Sequence, residues 1–353
     1  MHIIKNERPL KEVVVIKIIS IILALVASSV FVIAVTGLNP LDVMRATIKG
    51  TFGSSRRLLN VLRDTAFLFL IAIGLTPAFK MNFMNNGGEG QVLVGGLASA
   101  AIMINFGEKL PNIVVILLML VAAVVAGVVW GFLPAILKVK FNTNETLLTL
   151  MMNYVAIQIV EFCVDLWDKK QSHVVGIINQ KTYAGWLPPL LGNQYFLIYI
   201  IVLVIAVFMY IYLRNSKQGY EIAVVGESKR TAKYAGINVD KTILRTVMIS
   251  GGICAIAGFL NVAGISHTIS ANTAGGKGFT AIIVAWLGKF NVIVMGLISF
   301  MLQFLSKGAT QIASDFNLND YIADIIIAII LFFIIGADFF ANYKIVSKNK
   351  EEK

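Results

Sequence analysis

The sequence predicts an all-α polytopic membrane protein with about ten transmembrane helices, some of them short or broken. Hydrophobic residues make up 58% of the 353 residues and charged residues only 14%, whereas an average soluble domain has about 25% charged residues. The apolar residues come in runs close to the ~20 residues that a helix needs to cross a bilayer. These runs leave no room for a large soluble domain, so residues 1–353 are interpreted as a single transmembrane domain.

Ten apolar segments are the candidate spans. They cover residues 13–35, 58–79, 91–106, 113–137, 145–164, 195–213, 246–265, 279–288, 292–305 and 321–340. The first segment is too long for the core of a signal peptide and has no small-residue cleavage site directly after it, so we interpret it as a retained span. The two segments around Lys289 are each too short to cross alone as straight helices. Such interrupted segments are typical of broken helices that line a cavity.

Basic residues predict the orientation of the chain. Segment 214–245 carries seven Lys or Arg residues against three acidic ones, and the tail 344–353 carries four lysines. Both segments and the N-terminus are therefore predicted to be cytoplasmic, with the insert at 165–194 outside. The four basic residues between 45 and 57 would then also lie outside, so the run from 41 to 54 is interpreted as an interfacial amphipathic helix.

Composition and motifs exclude several classes of function. The net charge of +11 is explained by cytoplasmic loops better than by nucleic-acid binding, for which the sequence has no recognition motif. The segment "NTAGGKGF" has a Gly-Lys pair but neither the spacing nor the hydroxyl of a P-loop, so the chain is not expected to hydrolyse ATP. The two cysteines, Cys163 and Cys254, lie in apolar segments, and the histidines, His2, His173 and His267, are scattered along the chain. We therefore expect no disulfide, metal or bound cofactor.

The basic segment contains a short predicted helix. Ser228 is placed to cap a helix that runs to Ala235, and Gly236 is placed to end it. Ala232 and Ala235 give this helix a side of small residues, with basic residues exposed around it. Two turns are too short to be stable alone in water. The helix therefore either docks on another surface or is an ordinary solvated turn.

Five segments resemble one family when taken together. They are "FMNNGGEGQVLVGGLASA", "NETLLTLMMNYVA", "VGESKRTAKYAGINVDK", "SGGICAIAGFLNVAG" and "GKGFTAIIVAWLGKFN". In this order, from about residue 50 to residue 291, they are similar to permease subunits of the ATP-binding cassette (ABC) superfamily, in the branched-chain amino-acid, ribose and nucleoside group. The third segment resembles the coupling loop of that family. The chain is therefore identified as a member of its nucleoside and simple-sugar branch.

Two departures from the family pattern bear on the choice of solute. Val292 stands where the family commonly has proline, and residues 279–281 lack the usual acidic residue. The insert at 165–194, with "GWLPPL", resembles that of the longer of the two permeases that pair as a heterodimer in bacterial nucleoside systems. The resemblance therefore implies a second, homologous permease as a partner.

The resemblance also implies a subunit without its own motor, in an ABC importer permease fold. An ATP-binding cassette ATPase would hold ATP and magnesium, and an extracellular lipoprotein would deliver a nucleoside-type solute. The coupling loop, residues 214–245, would dock on the ATPase. The residues expected at that contact are Glu227, Arg230, Ala232, Tyr234 and Gly236. The chain itself would bind no cofactor and would lie in a bacterial cell membrane with both termini in the cytoplasm.

The polar stretch 81–91 between two spans is the first candidate for the substrate path. An acidic group costs about 2.5–3.5 kcal/mol at the centre of a span, so Glu89 is expected to lie near an interface or to face protein or water. It either bonds to a backbone amide or contacts the solute. Asn85 and Gln91 offer donors and acceptors suited to a neutral polyhydroxylated solute.

Three further residues are assigned to the substrate path. Asn144 and Glu145 are expected to cap a helix, whereas Asn153 lies two turns deeper. Phe279 and Trp286, beside the broken helix, are the aromatics expected to stack on a base.

Other functions remain open on the residues alone. An ion-coupled secondary transporter would need an acid in its ion path, and Glu89, Asp324 and Asp338 are candidates. A membrane-embedded enzyme or scaffold is disfavoured because no catalytic constellation is present. Within the permease interpretation, riboflavin and a simple sugar are the alternative solutes.

Overall fold

A computed structural model describes residues 2–5, 10–37, 39–168, 174–190, 192–318 and 320–346. The helices are α1 (Leu10–Thr36), α2 (Pro40–Phe52), α3 (Ser55–Lys80), α4 (Gly88–Phe106), α5 (Asn112–Phe141), α6 (Glu145–Trp167), α7 (Phe196–Asn215), α8 (Lys217–Glu227), α9 (Lys229–Tyr234), α10 (Val239–Gly264), α11 (Lys277–Leu287), α12 (Val292–Phe316) and α13 (Asp320–Asn342). Two short strands, β1 (His2–Lys5) and β2 (Tyr343–Val346), pair antiparallel. The chain forms two compact units, one of residues 63–299 and one of residues 1–62 with 300–353.

The helical, membrane-spanning character predicted from the sequence is confirmed, and in the described part of the chain seven of the ten predicted spans correspond to helices long enough to cross. Among the described residues, seven helices are long and apolar enough to cross a membrane, namely α3, α4, α5, α6, α7, α10 and α12. The segments Ile22–Thr36 and Leu41–Phe52 make an eighth span if this pair, bent by 109°, is counted as one broken span. The predicted count of about ten is higher than this number.

The prediction for the two segments around Lys289 is half right. The first segment forms the short helix α11, with only 11 residues. The second was predicted to be too short to cross alone, and this was wrong, because α12 has 25 residues. The helix continues past the apolar run through polar residues that stabilise it locally. Gln311 bonds to Asp315 one turn later, and Lys49 on α2 pairs with Asp315 at 3.1 Å.

In the unit of residues 63–299, α10 packs against α4 and α5 through small residues. A Cβ atom added at Gly258 on α10 would lie 2.1 Å from the carbonyl oxygen of Val92 on α4. Gly251 on α10 and Gly127 on α5 approach each other as closely, since a Cβ at Gly127 would lie 2.4 Å from the Gly251 carbonyl oxygen. Close backbone approach at small residues is how helices associate where lipid removes the hydrophobic driving force.

In the other unit, α1 packs against α13 and α2 turns away from α1. Asn39 caps α2, because its side chain accepts a hydrogen bond of 2.9 Å from the Leu41 amide. The prediction that residues 41–54 form a helix is thus confirmed for all but its last two residues. Val32, Ala46 and Ile312 are buried together in a small apolar cluster of this unit.

The packing of α10 predicts that Gly258→Val severely destabilises the protein. The new side chain would meet the α4 backbone, which has no rotamer to change, so we expect a loss of at least ~3 kcal/mol, at the upper end of overpacking effects. The measurement is the thermal unfolding midpoint of the detergent-solubilised chain. Gly296→Ala is the control, because its Cβ would lie 3.6 Å from the Phe69 ring, an ordinary contact. Equal midpoints for both variants would contradict the packing argument.

Candidate functional site

The polar stretch between α3 and α4 is buried and satisfies its own hydrogen bonds. The Asn85 amide nitrogen donates to the Ser250 hydroxyl on α10 at 3.0 Å, and its oxygen accepts from the Gly87 amide at 3.1 Å. The side chains of Asn85 and Gln91 also bond each other, at 3.3 and 3.4 Å. Both amides are almost fully buried. In this conformation they therefore hold the start of α4 in place.

Asn153 on α6 holds the same stretch from the other side. Its side-chain oxygen accepts from the Gly90 amide at 2.9 Å, and its nitrogen donates to the Asn86 carbonyl at 2.9 Å. More than two turns earlier, the predicted cap at the start of α6 is confirmed. The Asn144 side chain accepts from the Leu147 amide at 3.2 Å, and Glu145 lies in the first turn.

Glu89 binds the first turn of α11 with both carboxylate oxygens. One oxygen accepts from the Gly276 amide at 2.8 Å and the other from the Gly278 amide at 2.7 Å. We call Glu89, Gly276 and Gly278 the Glu89 clamp. A carboxylate is well placed there, because the amides at a helix N-terminus lack intrahelical partners and carry partial positive charge. Of the two roles that the sequence left open for Glu89, the structure shows the bond to backbone amides; contact with the solute stays a prediction.

The clamp requires glycine at its centre. A Cβ atom at Gly278 would lie 2.3 Å from the backbone nitrogen of Glu89, so no other residue allows α11 to approach α4 this closely. Gly276 has a φ of +71°, in the left-handed region that favours glycine. The glycines that surround Lys277 in "GGKG" therefore serve the geometry of the clamp.

A charged cluster next to the clamp was missed by the sequence analysis. Arg63 pairs with the buried Asp64 at 2.9 Å and donates to the Tyr195 hydroxyl at 3.0 Å. Lys277 lies 3.7 Å from Asp64, with its ammonium 4.9 Å from the centre of the Phe67 ring. Two adjacent opposite charges inside the predicted span 58–79 were the available signal, since charges within a span rarely occur without partners.

The predicted aromatic residues differ from the predicted amides in exposure. Phe279 and Trp286 on α11 are each 41% exposed, whereas Asn85, Gln91 and Asn153 are buried. Trp286 lies edge-on to Phe290, with ring centres 5.2 Å apart, and 5.8 Å from the Phe79 ring. Of the residues assigned to the substrate path, the aromatics of α11 are therefore half-exposed in this conformation, whereas the amides are buried.

The short helix predicted in the basic segment is confirmed as α9. Ser228 caps it by accepting from the Thr231 amide at 3.2 Å. At its other end, Gly236 has a φ of +76°, and its amide bonds to the Lys233 carbonyl at 3.1 Å. The Ile237 amide bonds to the Ala232 carbonyl at 2.9 Å, which completes a Schellman cap.

One side of α9 docks on the bundle and the other is open. Ala232 is fully buried in an apolar cluster with Met81, Phe83 and Ile222. Tyr234 is 93% exposed, and Glu227 and Arg230 are also exposed. An exposed aromatic ring among charged residues is the composition of an interaction surface.

The helices α8 and α9 are joined to the end of α3 by close backbone contact. A Cβ at Gly226 would lie 2.1 Å from the Lys80 carbonyl oxygen, and the Asn82 side chain donates to the Gly226 carbonyl. Asn82 is only three residues before Asn85. Helix α9 and the Glu89 clamp are therefore connected by one short, well-packed stretch of chain.

The described part of the insert, residues 174–190, packs over the opposite ends of α4 and α10. Trp186 stacks on His267, with ring centres 3.6 Å apart and planes within 3°, and Asn179 donates to the Met103 carbonyl at 2.9 Å. Burial lowers the pKa of His267, and a hydrogen bond with the Val262 backbone opposes this effect only in part. His267 is therefore neutral at pH 7 in the folded protein.

These features define a polytopic helical membrane protein with a short capped helix, α9, in a polar segment. The chain belongs to the family described as the branched-chain amino acid transport system / permease component, whose profile matches residues 57–335. Membership implies that further components complete the transport system. The family also supports a multi-pass membrane location.

Three characterised relatives are similar along most of their length. The guanosine ABC transporter permease protein NupP of Bacillus subtilis is 30% identical over 323 residues, covering 90% of this chain and 91% of that protein. The glucose ABC transporter permease protein TsgB13 of Haloferax volcanii is 26% identical, covering 93% of this chain and 88% of that protein. The nucleoside ABC transporter permease protein NupB of Lactococcus lactis is 26% identical, covering 91% and 90%.

Removal of the charge from the clamp is expected to loosen α11. In Glu89→Gln one acceptor is lost and the remaining bond is no longer assisted by charge. The amides of Gly276 and Gly278 should therefore exchange with deuterium about tenfold faster, in line with the loss of one charge-assisted hydrogen bond. Hydrogen–deuterium exchange of the detergent-solubilised chain measures this. Glu161→Gln, at an exposed position of α6, is the control. An unchanged exchange rate in Glu89→Gln would contradict the clamp.

The stacked His267 predicts a pH dependence of stability. Because its pKa is lower in the folded than in the unfolded chain, the unfolded state binds the extra proton as the pH falls below about 6.5. Stability is therefore complete above that pH and decreases below it. We expect the thermal midpoint to fall between pH 7 and pH 5 by more in the wild type than in His267→Asn, which tolerates the left-handed φ of +53°. Parallel pH profiles would contradict this.

Proposed function

We propose that this chain is the permease subunit of an ATP-driven importer and forms the membrane pathway for a nucleoside-type solute. The observation that carries the proposal is α9, a capped helix with one apolar side on the bundle and with Tyr234 almost fully exposed. Its caps and the packing of Ala232 hold this short helix in place, so its exposed face is presented in a fixed orientation. A soluble partner that docks on this face accounts for the exposed aromatic ring among charged residues.

The proposed partner at α9 is an ATP-binding cassette ATPase, which holds ATP and magnesium. Glu227, Arg230 and Tyr234 lie on the open side of the loop, whereas Ala232 and Gly236 shape the helix that presents them. Neither ATP nor magnesium is held by the permease chain in this proposal. ATP binding in the ATPase would favour one of two states of the permease, because the ATPase binds the two states with different affinity.

Packed contacts offer a route from the ATPase to the solute path. From α9 they pass through Met81 and Phe83 to the stretch that holds Asn85 and Glu89, and the clamp then connects Glu89 to α11. A movement of α8 and α9 would thus change the position of the start of α11. In this proposal, opening of the clamp exposes the amides of Asn85, Gln91 and Asn153 to the solute.

The nucleoside-type solute is supported by the relatives and by α11. Two of the three relatives described above are named for guanosine or nucleosides. The half-exposed Phe279 and Trp286 offer ring faces on which a base stacks. A simple sugar is the second candidate, because the TsgB13 relative is named for glucose. Riboflavin is the other alternative from the sequence, and competition in an uptake assay distinguishes it from both.

Further components follow from the same proposal. An extracellular lipoprotein delivers the solute, and a second, homologous permease completes the membrane pathway as a heterodimer. Loop 214–245 and both termini lie in the cytoplasm of a bacterial cell, and the insert at 165–194 lies outside. The excess of basic residues in loop 214–245 and in the tail 344–353 supports this orientation.

An ion-coupled secondary transporter is a weaker interpretation. Both carboxylate oxygens of Glu89 are bound by backbone amides, an arrangement suited to a structural acid. The side chains of Asp324 and Asp338, the other acids considered, lie outside the described residues.

The experiment that tests the proposal is uptake of radiolabelled guanosine into proteoliposomes. The chain is reconstituted alone, and then with its partner permease, ATPase and binding protein. We expect uptake only from the complete set with ATP, with unlabelled glucose and riboflavin as competitors for the solute site. Uptake by the chain alone under an ion gradient would overturn the proposal.

The docking surface predicts the effect of a double substitution. Arg230→Ala with Tyr234→Ala removes two exposed side chains, so membrane assembly should be retained and ATP-driven uptake lost. Copurification with the ATPase should fall at least tenfold, since truncation of a binding hot spot costs about 2 kcal/mol or more. Lys140→Ala, at an exposed lysine in the last turn of α5, is the control. Uptake at the wild-type rate in the double variant would contradict this assignment.

A further inference from the structure

An apolar groove runs along the side of the unit of residues 63–299, between α5, α7 and α10. Its volume is about 630 Å³, within the range of about 300–1,000 Å³ found for small-molecule sites. Phe208 on its rim is 61% exposed, so the groove opens sideways to the surface that a membrane covers. The groove is lined by Val124, Val128, Ile205, Phe208, Lys241, Leu244, Arg245, Met248, Ile249, Gly252, Ile253 and Ile256.

A polar pocket of about 620 Å³ adjoins this groove at the end that carries α8 and α9. It lies between α8, the loop at residues 235–238 and the first turns of α10. The groove and the pocket share two lining residues, Lys241 and Arg245. An apolar cavity therefore leads directly into a polar one, and the only basic residues of the groove stand at the junction.

The polar pocket has an excess of positive charge. Lys217, Lys241 and Arg245 line it together with a single carboxylate, that of Glu221. Arg245 pairs with Glu221 at 2.9 Å, yet its Nε–H is buried without a hydrogen-bond partner. Lys241 is exposed and forms no ion pair with any residue that the structure describes. Buried donors are normally satisfied, so this junction is suited to an oxyanion.

We infer that the groove and the pocket together bind one anionic phospholipid. Its acyl chains lie in the groove, and its phosphate lies between Lys241 and Arg245, with the rest of the headgroup in the polar pocket. Basic pockets beside transmembrane helices recognise anionic headgroups in this way. A free phosphate would leave the groove empty, and a zwitterionic lipid would gain little from the excess charge.

A surface of a second permease is the other occupant that the groove could take, but the basic residues at its end make that occupant unfavourable. A protein surface packed there would remove Lys241 and Arg245 from water, at a cost that only a well-placed acid offsets. A lipid supplies its own phosphate at the required place, and it conforms to a groove without a matching shape.

The test is a binding titration of the purified full-length chain in detergent, followed by native mass spectrometry. The probes are dioleoyl phosphatidylglycerol, dioleoyl phosphatidylcholine with the same acyl chains, and sn-glycerol 3-phosphate without acyl chains. We expect phosphatidylglycerol to bind at least fivefold more tightly than phosphatidylcholine. Lys241→Gln should lower this preference for phosphatidylglycerol about fivefold, which is the effect of one basic residue near a membrane surface. Lys140→Gln, the matched loss of one charge outside both cavities, should leave it unchanged.

A second variant separates the chains from the headgroup. Ile205→Trp fills the groove and leaves the basic residues in place. It should therefore weaken the binding of both phospholipids by a similar factor. Three outcomes would overturn the inference: no preference for phosphatidylglycerol, an equal loss in both lysine variants, or full competition by glycerol 3-phosphate. A disulfide formed between Phe208→Cys and a cysteine of the partner permease in the reconstituted transporter would show that protein covers the groove, and would overturn it as well.

Discussion

A helix that begins inside a membrane protein exposes backbone amides for which lipid offers no partner. In this chain the carboxylate of Glu89 satisfies two of these amides at the start of α11, and this pairing constrains the structure around it. The carboxylate avoids the cost of an isolated charge, and α11 gains a fixed starting point. Glycine at 278 follows from the same contact, because any Cβ there would collide with the backbone of Glu89.

The stretch before Glu89 must be rigid if the clamp is to hold α11. Asn85 and Asn153 provide this rigidity by bonding to backbone groups and side chains of α4, α10 and the turn between α3 and α4. Each of these polar groups is buried, so each lost bond would leave an unsatisfied partner, which is more costly than the bond itself. The polar residues within this apolar chain are therefore a framework that holds the start of α4 and the start of α11 together.

Helix α9 lies at the opposite end of that framework. Ala232 places α9 on the cluster that includes Met81 and Phe83, and Gly226 allows α8 to touch the end of α3. Capping at both ends of α9 and packing on one side compensate for its short length. The apolar groove beside α10 shares Lys241 and Arg245 with the pocket below this loop, so a bound lipid would contact the same part of the molecule.

The sequence by itself determined the local features of this protein. Hydrophobic runs located the spans because burial in lipid requires ~20 apolar residues, and Ser228 and Gly236 located α9 because caps act over a few residues. The tertiary structure alone decided the long-range pairings. Glu89 is 187 residues from Gly276 along the chain, so no local pattern indicated their bond. The extension of α12 to Phe316 and the charged cluster around Asp64 were likewise missed, since each includes a lysine partner that only folding brings near.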